Sequence, residues 1–132
     1  MKIVSRIGKI QSQQDKIFEL ISDFTNLGKY VPNDKVEDFT SDIDSCSFKV
    51  DKIGKFGMRI IEREPSKTVK IANDGGTPFK FNMWIQLKEV AENDIRVKVT
   101  LDADLNAMMK MVAKKPLTSF VNTLVDRLEQ IR

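Results

Sequence analysis

From Lys35 to Leu105 apolar residues recur at every second position, a period that suits strands packed on one face and not helices. Cys46, Phe48 and Val50 share one phase, as do Phe56, Met58 and Ile60; Phe79, Phe81, Met83, Ile85 and Leu87; and Ile95, Val97, Val99 and Leu101. The other phase is polar: Ser47, Lys49 and Asp51; Arg59 and Arg63; Lys80, Asn82, Trp84, Gln86 and Lys88; Arg96, Lys98, Thr100 and Asp102. Turn chemistry separates the runs at Asp42-Ile43-Asp44, Ile53-Gly54, Pro65-Ser66-Lys67, Asp74-Gly75-Gly76-Thr77-Pro78 and Glu92-Asn93-Asp94. Such short connections leave no room for crossover helices, so the segment predicts an antiparallel meander of about six strands, wet on one face and dry on the other.

The dry face needs a cover, and the flanking segments supply it. Lys2 to Gln11 reads as a first strand, and Ser12 with Asp15 reads as a helix cap. Ile17, Leu20, Ile21 and Phe24 then fall at i, i+3, i+4 and i+7, one apolar stripe. A second short helical turn is expected over Thr25 to Tyr30, ended by Pro32 and the turn pair Asn33-Asp34. At the other end Pro116 suits a first helical position, and Leu117, Phe120, Val121, Leu124, Leu128 and Ile131 form the stripe of a long amphipathic helix. Before it, Leu105 to Ala113 is Met-rich (Met108, Met109, Met111) and flanked by Lys110, Lys114 and Lys115, which suggests a short helix or lid feeding into the long one. The expected class is α+β: a curved antiparallel sheet of about six to seven strands around a long C-terminal helix, with two short helices after the first strand.

The 132 residues leave room for one core, so residues 1–132 are read as a single domain. The chain has no histidine and a single cysteine, Cys46. It therefore lacks the usual zinc ligand set, the usual base for a Ser or Cys nucleophile and any internal disulfide. No run approaches the ~20 apolar residues that span a bilayer, and the first residues carry no apolar signal core, so a cytoplasmic location is expected. Net charge is +3, and only the middle third is basic, with 9 Lys and Arg against 4 Asp and Glu over residues 45–88. A solvated sheet face gives the same counts, so no DNA partner is expected.

The order strand, two short helices, meander, long helix resembles the START-like (SRPBCC) superfamily, the helix-grip fold of Bet v 1-like proteins and small bacterial polyketide cyclase or dehydrase relatives. The resemblance rests on the helix from Ile17 to Phe24, on Asp23-Phe24-Thr25-Asn26-Leu27 and Tyr30-Val31-Pro32, on the meander, and on Lys115-Pro116-Leu117 opening the last helix. It implies a cavity between sheet and helix for a lipid- or polyketide-like hydrophobic ligand. The residues so placed are Phe48, Val50, Met58, Ile60, Phe81, Met83, Ile85, Val97, Val99, Leu101, Met108, Met109, Val112, Leu117, Phe120, Val121 and Leu124, with Tyr30 and Asp38 as polar groups at the rim. A filled core has the same periodicity, so hollow and solid interiors both stay open.

The sharper chemical signals are few. Cys46 lies in the dry phase with no histidine beside it, as a core thiol does. Asp102 and Asp104 share a strand face but lack a third ligand, so no metal is expected, and no cofactor or catalytic residue is assigned. Asp74-Gly75-Gly76 lacks the following Lys-Ser/Thr of a phosphate loop and reads as a hairpin turn. The resulting reading is a monomeric carrier of a hydrophobic small molecule, with membrane contact at most transient through the Met108–Met111 segment. Two alternatives stand beside it. One is a polyketide cyclase or dehydratase by analogy of family. The other, which the resemblance implies through small START-like relatives that associate with ribosomes, is a ribosome- or protein-interaction module using Lys49, Arg59, Lys80, Trp84, Lys88, Arg96 and Lys98 on the wet face.

Overall fold

The computed structural model describes residues 1–31, 36–51 and 53–131. Along the chain run β1 (Lys2–Val4), β2 (Gly8–Ile10), α1 (Gln14–Ile21), α2 (Phe24–Leu27), a 3-10 turn (Gly28–Tyr30), β3 (Val36–Ser41), β4 (Ser45–Val50), β5 (Gly54–Glu64), β6 (Thr68–Asn73), β7 (Phe81–Ala91), β8 (Asp94–Ala103) and α3 (Ala107–Leu128). The alternating region thus gives the six strands β3 to β8, each antiparallel to the next. β1 and β2 both add to β8, so the sheet runs β1-β8-β7-β6-β5-β4-β3, with β2 beside β1 along the same edge. The sheet curves around α3. At one side Arg6, between β1 and β2, bonds to Asp126 of α3, and on the other Phe48 of β4 lies 6.0 Å from the ring of Phe120.

Four local readings are corrected. The first strand is not continuous: Val4 pairs with Thr100 but Gly8 with Val97, so one residue is extra and the strand breaks at Ser5. Ser5 mends the ladder itself, its N–H donating to the Val99 carbonyl (2.8 Å) and its buried Oγ accepting from Val99 N–H (2.9 Å). Ser12 is buried and does not cap α1, whose N-cap is Gln13 without a side-chain bond. Asp15 instead accepts from the hydroxyl of Ser66. The cap of the following turn is Asp23, whose carboxylate accepts from Thr25 N–H (2.8 Å). Pro32, Asn33 and Asp34 lie outside the described residues.

Arg63 is the third correction. Ile60 pairs with Ile71 and Glu62 with Lys70, so Ile61 is a bulged residue and the phase reverses beyond it. Arg63 therefore sits opposite buried Val69, on the inner side at the end of the sheet, and not on the wet face. There it donates to the Ser22 carbonyl (2.9 Å) and the Asp44 carboxylate (2.6 Å), tying α1's end to the β3–β4 turn.

The fourth is α3, which starts at Ala107 and not at Pro116. Asn106 caps it, its Oδ1 accepting from Met109 N–H at 2.8 Å, and strong helix formers carry the helix up to and through Pro116. Pro116 removes the donor that the Val112 carbonyl would have used. Val112 is 49% exposed, so water reaches the loose backbone group there. The expected short helix and long helix are one helix with a proline inside it.

Candidate functional site

Between the sheet and the middle of α3 lies a pocket built wholly from the dry phase. Alternation on β4 turns Phe48 and Val50 toward it, β5 supplies Phe56 and Met58, the turn before β7 supplies Phe79, β7 supplies Phe81 and Met83, β8 supplies Leu101, and α3 closes it with Leu117 and Phe120. Every lining side chain is apolar. Its aromatic part has two geometries that meet at Phe56. Phe39, Phe48, Phe56 and Phe120 form near-parallel stacks centred on Phe48, with centroids 5.8 to 6.1 Å apart and planes within 20°. Phe56, Phe79 and Phe81 meet edge to face, the first two 5.3 Å apart at 73°.

The rings fill most of the space. The remaining void is about 20 Å3, close to one water-sized sphere, and its lining offers water no partner. Sites that hold drug-sized molecules measure roughly 300 to 1,000 Å3. A ligand of that size enters this interior only by moving rings apart.

The expected lining divides into three groups. Phe48, Val50, Met58, Phe81, Met83, Leu101, Leu117 and Phe120 face the pocket. Ile60, Ile85, Val97, Val99, Val121 and Leu124 are buried in the core away from it, and Met109 is half-buried against that core. Met108 and Val112 are corrections: they are 76% and 49% exposed, because the helix reaches back past Pro116 and turns them away from the sheet. Phe56 and Phe79 belong to the pocket and were absent from the expected set, although their place in the alternating phase marked them. Of the rim groups, Tyr30 packs half-buried against the core, and Asp38 is exposed, at φ 54° in a bulge of β3, 3.4 Å from Lys49 Nζ.

Among the described residues no titratable group lines the pocket. Cys46, one inward position before Phe48, is buried, and burial pushes its thiol up to about 12, so it is protonated at neutral pH and a poor nucleophile. Asp102 lies 3.7 Å from the N-terminal amine, and among the described residues no cluster of three metal-ligating side chains occurs. Gly75 takes φ 76°, the left-handed conformation of a turn residue between β6 and β7. Among the described residues no helix is long and apolar enough to cross a membrane.

The wet face carries less free charge than its sequence suggests. Lys49, Arg59 and Arg96 lie within 3.4 to 3.6 Å of Asp38, Asp74 and Asp94. Trp84 neighbours Lys70 and Thr100 across the strands, with Lys70 Nζ 5.6 Å from its ring centroid.

No family model and no curated protein sequence matches the chain. Solved structures match it over nearly its whole length. A START superfamily protein from Mycobacterium smegmatis superposes with a TM-score of 0.69 at 15% identity, covering 98% of this chain and 97% of that one. A protein from Thermus thermophilus gives 0.71 at 15%, covering 98% and 95%. The Aha1 dimer from Colwellia psychrerythraea gives 0.61 at 20%, covering 98% and 97%. At these identities the likeness is one of fold: the chain has the START-like, helix-grip fold.

Proposed function

We propose that this single domain binds a hydrophobic or amphipathic small molecule, lipid- or polyketide-like, between the sheet and α3 and performs no chemistry on it. The observation that carries the reading is a pocket lined by ten apolar side chains, half of them phenylalanines, with no acid, base or nucleophile among them. Burial of ligand surface at roughly 25 cal/mol per Å2 drives binding, against about 1 to 3 kcal/mol for repacking the rings. The near-parallel Phe48 and Phe120 favour flat or chain-like molecules that can slide between two faces. The protein acts as a cytoplasmic monomer, a setting that suits a lone reduced thiol at Cys46.

The test is native mass spectrometry of protein purified from cells, before and after organic extraction, joined to a melting-temperature screen of fatty acids and planar polyketides. A discrete added mass that extraction removes, or a ligand that raises Tm in the wild type and loses that effect in Phe120→Trp, supports the proposal. Bare chain in the spectrum together with no shift from any compound, in the wild type and in the cavity-enlarging Phe120→Ala alike, overturns it.

A further inference from the structure

The first part of α3 combines two features on one short stretch of helix: clustered exposed apolar side chains and a run of cations. Met108, Met111 and Val112 are 76, 87 and 49% exposed, a group of large apolar side chains in water. At i, i+3, i+4 and i+7, Met108, Met111, Val112 and Lys115 share one stripe, and it lies opposite the stripe of Ala113, Leu117, Phe120 and Leu124 that α3 buries. The helix therefore has a second apolar face that none of the described residues covers. The same segment also inverts the charge preference of a helix start. Its first turn holds no acid and does hold Lys110, although the N-terminal end of a helix dipole favours negative charge.

Lys114 and Lys115 follow, and no Asp or Glu occurs from Asn106 to Val125. Lys110, Lys114 and Lys115 line one open recess with Met111, Thr118, Ser119 and Asn122, and none of the three has an ion pair among the described residues. We infer that this face of α3 docks on an anionic phospholipid bilayer. The three lysines match phosphate and carboxylate headgroups, while the unbranched, adaptable methionines enter the boundary between headgroups and acyl chains. Long lysine stems bury beside them and keep their ammonium groups at the charged surface. The face sits about two turns from Leu117 and Phe120, so a docked protein brings its pocket close to the membrane.

Flotation of the full chain with vesicles tests this, using phosphatidylcholine alone against phosphatidylcholine with about 30% phosphatidylglycerol. The wild type is expected to float with the anionic vesicles, to stay behind with the neutral ones, and to be released by added salt. Changing Lys110, Lys114 and Lys115 together to Glu should weaken partitioning by about 100-fold or more, and Met108→Ser with Met111→Ser by about tenfold. The same charge change on the wet face, Lys55→Glu, Lys88→Glu and Lys98→Glu, should leave most of the binding, and the melting temperature of each variant checks its fold.

No flotation of the wild type, or an equal loss in the two lysine variants, overturns the inference. Lysine-dependent binding to polyglutamate without flotation also overturns it, in favour of an acidic protein partner. Protein stripped by organic extraction is expected to float as well as untreated protein, so this result and the ligand test stand or fall separately.

Discussion

The two halves of α3 belong to one helix and live by different rules. Beyond Pro116 the helix is held on all sides that matter. Leu124, Val125 and Leu128 are at most 1% exposed, and the outer residues Asn122, Asp126 and Glu129 bond to the broken first strand. Asn122 Oδ1 accepts from Arg6 N–H (2.8 Å), Asp126 and Glu129 both take the Arg6 guanidinium, and Glu129 also accepts from Lys9 N–H (2.7 Å). Gly8 allows the closest approach, since a Cβ there would lie 2.4 Å from a methyl of Val125. Before Pro116 only Ala113 is fully buried, Met109 is half-buried, and three large apolar side chains face water. Helix propensity and the Asn106 cap are enough to form the first half. Packing and hydrogen bonds are what anchor the second.

The sharpest way to break this contrast is to truncate one side chain in each half. Leu124→Ala leaves a hole in a filled interior and should cost about 2 to 5 kcal/mol in urea unfolding, with an unchanged m-value. Met111→Ala removes a side chain that is 87% exposed and should move stability by less than about 0.5 kcal/mol. Equal costs would mean that the first half is as firmly packed as the second.

The same contrast explains what was legible in the sequence. The meander was legible because alternation and turn residues act locally, and the inward phase named the pocket's side chains for the same reason. What alternation could not show is a bulge, since one extra residue at Ile61 sends Arg63 to the other face without altering the residues around it. The break at Ser5 is likewise set by the approach of α3, a partner more than a hundred residues away. Pro116 misled in the opposite direction. A proline permits a helix start and also survives inside a helix where water takes up the freed carbonyl, and the Asn106 cap decided between them. Periodicity says which side chains face inward but not how closely they meet, which is why a void of about 20 Å3 was not foreseeable.

A smaller effect is expected where the second half is pinned. Arg6→Ala removes both carboxylate contacts of the break between β1 and β2. The groups lie at the surface, so the loss should be about 1 kcal/mol by chemical unfolding, above the cost of an isolated surface pair because three charges share the site. Hydrogen exchange localises it: faster exchange at Ser5, Arg6 and Lys9 with no change before Pro116 is the expected pattern. Spread to the amides of residues 109–113 would mean that the two halves move as one unit.

The smallest effect is a pH dependence, and it separates the halves by sign. The hydrogen bond from the Arg6 guanidinium, aided by Lys9 N–H, holds the Glu129 carboxyl below its ordinary value. A carboxylate whose folded value is depressed binds fewer protons folded than unfolded, so its contribution is full above the unfolded value and is lost as pH falls through the folded one. Melting temperature should therefore drop as pH falls below the ordinary carboxyl value in the wild type, and the part of that drop due to Glu129 should vanish in Glu129→Gln. The cations before Pro116 face no acid on their own helix, so Lys114→Gln should leave the acid limb unchanged and add stability, if anything, by easing repulsion among Lys110, Lys114 and Lys115. If Lys114→Gln flattened the acid limb as Glu129→Gln does, the charge of the first half would be coupled to the core after all, and the division of α3 at Pro116 would fail.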